Sequence, residues 1–128
     1  MTVHALRATA YPPFHDGEIN ISRHTVGRRT VISVGGEVDL LSTPALRRAI
    51  DEALATGGVE LWIDLTTTEF MDTSGLHALL EGQERVCELR RRLTVICPPG
   101  SVRRLFELAG VADRFTLAAD RAAAHQIS

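Results

Sequence analysis

Phe70-Met71-Asp72-Thr73-Ser74-Gly75-Leu76 follows the run Leu61-Trp62-Ile63-Asp64-Leu65, and these two stretches together decide the fold. The run is short and apolar with a branched centre, the pattern of a buried strand. Leu76, Leu79, Leu80, Val86 and Cys87 then recur with the three-and-four spacing of a helix that starts near Thr73. Asp72, Thr73 and Ser74 therefore fall in a turn between the carboxyl end of a strand and the amino end of a helix. Helix amino ends leave backbone N–H groups unpaired, and short oxygen side chains satisfy them. Thr73 is read as one such cap. A hydroxyl held there can also carry a phosphate, which the positive helix end tolerates.

Upstream, Ser42-Thr43-Pro44 is a helix start, a hydroxyl cap followed by proline where a missing N–H costs nothing. Ala45, Leu46, Ala49, Ile50, Ala53 and Leu54 line one face of that helix, and Gly57-Gly58 ends it. Before it, Ile19 to Val26 and Thr30 to Gly35 read as two antiparallel strands joined at Gly27-Arg28-Arg29. Met1 to Gly17 carries Pro12, Pro13 and Gly17 without a sustained period, which predicts a flexible tail (1–17) before one domain (18–128). Downstream, Glu81 and Arg85 are spaced for an ion pair along one helix. Arg90-Arg91-Arg92 has two readings: a basic run that complements the negative helix end and faces water, or a grip for an anion. Leu93 to Cys97 is a strand stopped by Pro98-Pro99-Gly100. Ser101 is placed to cap a third helix bearing Val102, Leu105, Phe106 and Ala109, with Gly110 as its stop. Phe115 to Leu117 and Asp120 to Gln126 read as a last strand and a last helix.

The predicted fold class is α/β, a mixed, mostly parallel sheet of about five strands with about four helices in the order β-β-α-β-α-β-α-β-α. Ligands and partners of such sheets meet the carboxyl ends of the strands. Asp39, Thr73 and Pro98 all emerge at that edge.

A chain of 128 residues with 45% hydrophobic and 23% charged residues has the profile of one globular domain. Its formal charge of −2 gives no reason to expect a nucleic-acid partner. No apolar run approaches a membrane span, and no apolar leader opens the chain. With two cysteines, these features predict a cytoplasmic protein with free thiols. The glycine pairs fit neither a P-loop nor a dinucleotide fingerprint. The histidines at 4, 15, 24, 77 and 125 are scattered, without metal-ligand spacing. Ser74 lies in D-T-S-G rather than the G-x-S-x-G elbow of hydrolases. No catalytic residue, no metal and no cofactor is implied.

FMDTSGL after LWIDLT, with GGEVDLLSTPALRRAI upstream and VRRLFELAGVADRF downstream, resembles the STAS-domain family, and within it the anti-sigma factor antagonists. The resemblance runs from about Ile19 to the C-terminus and implies a single STAS-like domain. It further implies that the hydroxyl residue after the aspartate is phosphorylated by a partner that is both anti-sigma factor and serine/threonine kinase. Carried over, the acceptor is Thr73, with Ser74 as alternative, and a phosphatase resets it. The implied partner-binding residues are Asp39, Leu40, Asp72, Thr73, Ser74, Gly75 and His77. Threonine stands where the family more usually has serine, and His77 where a small residue is common. An alternative is a STAS accessory subunit of an ABC-type lipid transporter, some of which carry a similar Asp-Thr-x-Gly-Leu turn.

Several single residues have two readings. Asp39 is a partner contact or a turn aspartate bonding nearby N–H groups. Asp64 reads as a structural hydrogen bonder and Trp62 as core, while Leu40, Leu41 and His77 are candidate surface anchors. Cys87 lies on the apolar stripe and reads as a small core residue, leaving Cys97 near the functional edge as the reactive thiol. Cys97 is placed level with the first turn of the helix that carries Cys87, about 20 Å from it at the rise of a helix. A disulfide, which needs Cα atoms within roughly 7 Å, is therefore forbidden.

Overall fold

In the computed structural model, which describes residues 3–7 and 19–127, the order is β1 (Val3–Arg7), β2 (Ile19–Val26), β3 (Arg29–Val38), α1 (Thr43–Ala55), β4 (Glu60–Asp64), β5 (Thr68–Met71), α2 (Thr73–Glu88), β6 (Arg92–Ile96), α3 (Ser101–Leu108), β7 (Thr116–Ala118) and α4 (Arg121–Ile127). The seven strands form one sheet in the order β1-β2-β3-β4-β6-β7, with β5 also beside β3. The β1–β2 and β2–β3 pairs are antiparallel; the pairs of β3 with β4 and β5, of β4 with β6, and of β6 with β7 are parallel. Gly27, at φ 62°, closes the β2–β3 hairpin between the paired Val26 and Arg29, a conformation that glycine adopts without a Cβ clash.

Every residue of β4 is buried, as a central parallel strand with both faces covered requires. Leu61 and Ile63 join the larger core, with Leu46, Ile50, Leu76, Leu79, Val95 and Phe106. Trp62 points the other way, into a smaller cluster with Val31, Ile96, Ala118 and Ala124. Helices α1, α2 and α3 thus cover one face of the sheet and α4 the other. Trp62 is core, as expected: its ring lies under the Arg29 guanidinium at 3.9 Å, and its Nε1 donates to Glu60 Oε2 at 3.1 Å. Among the described residues no helix is long and apolar enough to cross a membrane.

The fold class stands as expected, but several elements differ. The predicted tail contains β1, whose five residues pair with β2; 1–2 and 8–17, the rest of that expectation, lie outside the described residues. Strand β5 is an addition. It consists of Thr68-Glu69-Phe70-Met71, of which only Thr68 and Met71 are buried, and it pairs with β3 above the level where β4 ends. Its polar residues hide the alternation that marks a strand. Ser101 does not cap α3: Gly100 holds that position and makes no side-chain bond.

The ion pair expected along α2 is formed across helices instead. Arg47 Nε meets Glu81 Oε1 at 2.9 Å, and Arg85 pairs with Asp51, so both bonds tie α2 to α1. In the arginine run, Arg90 takes φ 58° just after α2. Arg91 Nη1 donates to the Leu54 carbonyl of α1 at 2.7 Å. The run does complement a negative helix end, but that end belongs to α1.

The two cysteines exchange their expected roles: Cys87 is exposed and Cys97 buried, both free. Burial pushes the Cys97 thiol above its usual range, against the opposing pull of Arg103. A charged thiol reagent is therefore expected to modify Cys87 in the native protein and to reach Cys97 only on unfolding. Peptide mapping after a brief native pulse checks this; early label on Cys97 contradicts the placement of β6.

Candidate functional site

Strands β3, β5 and β6 end at one edge, and the two loops that follow β3 and β5 form the site. Asp72 sits at the N-cap of α2 with extended backbone, φ −103° and ψ −174°. Its Oδ1 accepts from the Ser74 N–H at 2.9 Å and the Gly75 N–H at 3.3 Å, and it also accepts the Ser74 hydroxyl. One carboxylate oxygen thus satisfies two of the donors that a helix start leaves unpaired. Asp72 N–H donates in turn to the Val38 carbonyl at 3.0 Å, fixing the turn against β3.

Thr73 is the first residue of α2, exposed, and among the described residues nothing bonds its hydroxyl. The expectation that Thr73 caps the helix is corrected here: the cap is Asp72. Ser74 is half-buried, with its Oγ occupied by Asp72 and, at 3.1 Å, by Thr43 Oγ1. Asp72→Ala is therefore expected to lose about 1–2 kcal/mol of stability, and Thr73→Ala no more than about 0.5 kcal/mol. Urea denaturation midpoints of the two variants decide it; a larger loss for Thr73→Ala would reassign the cap.

Gly75 is buried beneath the turn. A Cβ there would stand 2.8 Å from Met71 Cγ and from Val38 Cγ1, so glycine lets α2 start directly against β3 and β5. Gly75 shapes the edge from below, while His77, exposed and four residues after Thr73, shares its helix face.

The other loop is organised by Asp39. Its Oδ1 accepts from Leu41 N–H at 3.0 Å, Ser42 N–H at 3.1 Å and Ser42 Oγ at 3.1 Å. The turn role of Asp39 is thus real. Ser42 makes no forward cap to α1; its Oγ turns back to the Glu37 carbonyl at 3.0 Å. The turn pushes Leu40 outward to 74% exposure and Leu41 to 42%. Phe70, 49% exposed, stands beside Glu37 in the β3–β5 register and adds a third apolar side chain. Sequence reasoning passes over Phe70; the available signal is an aromatic residue in a polar run just ahead of Asp72.

Asp64 lies lower in the sheet. Its Oδ1 accepts from Thr66 N–H at 2.9 Å and its Oδ2 from Arg121 Nε at 2.7 Å. Burial alone would raise its pKa, but the Thr66 and Arg121 bonds outweigh that and hold it below the usual value. It is the structural hydrogen bonder expected. Among the described residues no group of three or more His, Cys, Asp or Glu is placed to hold a metal ion.

The site is thus a capped Asp-Thr-Ser-Gly turn at the carboxyl edge of a parallel-centred sheet. The family profile described as "Mlab, STAS domain" matches residues 21–118, and the chain belongs to the STAS-domain family, of the anti-sigma factor antagonist type. It is similar to the anti-sigma-F factor antagonist RsfB of Mycobacterium tuberculosis, with 34% identity over 68% of this chain and 70% of the relative. The anti-sigma-B factor antagonist of Listeria monocytogenes is 29% identical over 64% of this chain and 72% of its own length. Among solved structures, an anti-sigma factor antagonist from Mycobacterium paratuberculosis superposes with a TM-score of 0.73 at 30% identity, covering 77% of this chain and 84% of that one.

Proposed function

We propose that this chain is an anti-sigma factor antagonist that works by partner switching. The unphosphorylated form docks on a kinase-type anti-sigma factor through the edge bearing Asp39, Leu40, Asp72, Thr73, Ser74 and His77, with Gly75 supporting it, and so releases the sigma factor. The observation that carries this reading is the contrast between two adjacent hydroxyls: Ser74 is bonded twice, while Thr73 faces solvent on the first turn of α2. The names of its relatives support the regulatory role.

In the proposed modification the Thr73 oxygen attacks the γ-phosphorus of ATP. A P–O bond to Thr73 forms, the β–γ bridge bond breaks, ADP departs and the hydroxyl proton passes to a base of the kinase. A phosphatase later hydrolyses the ester. Catalysis belongs to the partners, and this chain is substrate and ligand. The positive end of the α2 dipole lies beside Thr73 and tolerates an anion there, while the Ser74 and Gly75 N–H groups stay with the Asp72 carboxylate.

The test is capture on the immobilised protein from a lysate of the source organism, then incubation with ATP and mapping of the modified peptide by mass spectrometry. The expected result is a kinase-type anti-sigma factor and phosphate on Thr73. Recovery of a transporter ATPase subunit instead would favour the lipid-transporter reading, and phosphate on Ser74 alone would reassign the acceptor.

A further inference from the structure

The two loops of the edge come from distant parts of the chain, yet one buried hydroxyl joins them. Thr43, the first residue of α1, is 1% exposed. Its Oγ1 lies 2.5 Å from the Asp39 carbonyl, to which it donates, and 3.1 Å from Ser74 Oγ. Ser74 Oγ in turn donates to Asp72 Oδ1. The Asp39 carbonyl also receives the N–H groups of Ser42 at 3.1 Å and Thr43 at 2.9 Å. It therefore stays satisfied when the Thr43 hydroxyl turns its single proton to Ser74 Oγ, the direction left for that contact once the Ser74 proton is on Asp72. That leaves a directed chain, Thr43 to Ser74 to the Asp72 carboxylate, whose last bond is charge-assisted and strong.

The consequence is mechanical. Asp72 Oδ1 is the atom on which the first turn of α2 hangs, and Thr73 is carried between Asp72 and Ser74. Asp39 performs the same service for the loop that exposes Leu40 and Leu41. Thr43, held to one loop by its N–H on the Asp39 carbonyl and to the other by its hydroxyl on Ser74, fixes their relative position.

We propose that Thr43 is a positioning residue of the switch: through Ser74 it locks the Leu40–Leu41 docking loop to the Thr73 turn, so that a kinase seated on the first loop finds the acceptor in place. The coupling itself is independent of the phosphorylation reading; only its use in phosphotransfer rests on that reading.

The experiment has two arms. The first needs no partner: amide hydrogen exchange at Leu41 and Ser42 is measured by NMR in the wild type, Ser74→Ala, Thr43→Val, Thr43→Ser and the Ser74→Ala/Thr43→Val double variant. Ser74→Ala changes no charge, yet it is expected to speed exchange at Leu41 and Ser42 about fivefold, the weight of one ordinary hydrogen bond. In the Thr43→Val background it is expected to add nothing, and Thr43→Ser should behave as wild type. Leu41 and Ser42 exchange that ignores Ser74→Ala, or that responds equally in the Thr43→Val background, overturns the coupling. The second arm uses the kinase that modifies the wild-type chain. Thr43→Val is expected to lower kcat for phosphorylation about tenfold, or 1.4 kcal/mol of positioning, with KM within about twofold and Thr43→Ser restoring the rate. An unchanged kcat overturns the positioning role even where the loops are coupled. A wild-type chain that no kinase modifies defeats the proposed function, while the exchange arm still decides the coupling.

Discussion

Replacing Trp62 by alanine is expected to cost about 3–5 kcal/mol of stability, the scale for removing a buried tryptophan. The side chain is 2% exposed and is the largest member of the small core beneath α4. Its loss opens a cavity against Val31, Ile96, Ala118 and Ala124. It also removes the ring under Arg29, the edge contact with His125 at 4.9 Å between centroids, and the N–H that serves Glu60 Oε2. Helix α4 has only seven residues, too few to be stable without packing, so it should detach first. Urea denaturation followed by circular dichroism measures the loss. Trp62→Phe keeps a ring but no N–H, so it should lose less than Trp62→Ala. A loss below about 1 kcal/mol for Trp62→Ala would mean that α4 is not seated on the sheet.

Trp62 also shows what the sequence can reveal. A five-residue strand with every position buried announces itself by its apolar centre, Leu61-Trp62-Ile63, between Glu60 and Asp64, and α2 follows from its stripe. Strand β5 has no such signal. Only its two end residues are buried, over four residues in all, and its partner is the upper end of β3, which local pattern does not reach. Strand β1 is similar, five residues paired antiparallel to β2 from beyond a long intervening segment. Helix stripes also blur at their margins. Neighbouring residues project about 100° apart, so Val86 is buried while Cys87 is exposed.

The site is legible in sequence as a cluster and not as a set of roles. Asp72-Thr73-Ser74 marks a helix start, but which oxygen caps it depends on backbone torsion; the extended conformation at Asp72 gives it the cap. Ser42 reads as a forward cap from its place before Pro44, yet the Asp39 carboxylate and Glu37 carbonyl compete for its hydroxyl and win. Glu81 and Arg85 are spaced for each other, but α1 offers both a better-placed partner. In each case a contact distant in sequence or a backbone torsion overrides a local preference, which for such a helix pair is worth only a few tenths of a kcal/mol. The Thr43–Ser74 contact, across 31 residues, lies wholly beyond local reading.

Phosphate on Thr73 is expected to weaken binding to the anti-sigma factor by about 30- to 100-fold, or 2–3 kcal/mol. The group adds a charge of about −1.5 to −2 at an edge where the Asp39 and Asp72 carboxylates already organise one loop each. Any partner surface that accommodates those carboxylates beside the exposed Leu40, Leu41 and Phe70 must also desolvate the phosphate on docking. Like charge brought into an interface costs several kcal/mol. The Asp72 carboxylate already occupies the Ser74 and Gly75 N–H groups, so the helix start offsets little of the added charge. Thr73→Asp, with about half the charge and a shorter reach, should weaken binding by a smaller factor. Thr73→Ala should bind as the wild type does, because its hydroxyl supports nothing in the turn. Calorimetric titration of the unmodified, phosphorylated, Thr73→Asp and Thr73→Ala proteins against the same anti-sigma factor gives the ranking directly. Raising the salt should narrow the gap between phosphorylated and unmodified forms, since a Debye length of about 8 Å at physiological ionic strength screens the exposed part of the repulsion. Phosphorylated and unmodified proteins binding within about threefold of one another, less than 1 kcal/mol, would leave the edge a docking surface that phosphate does not control.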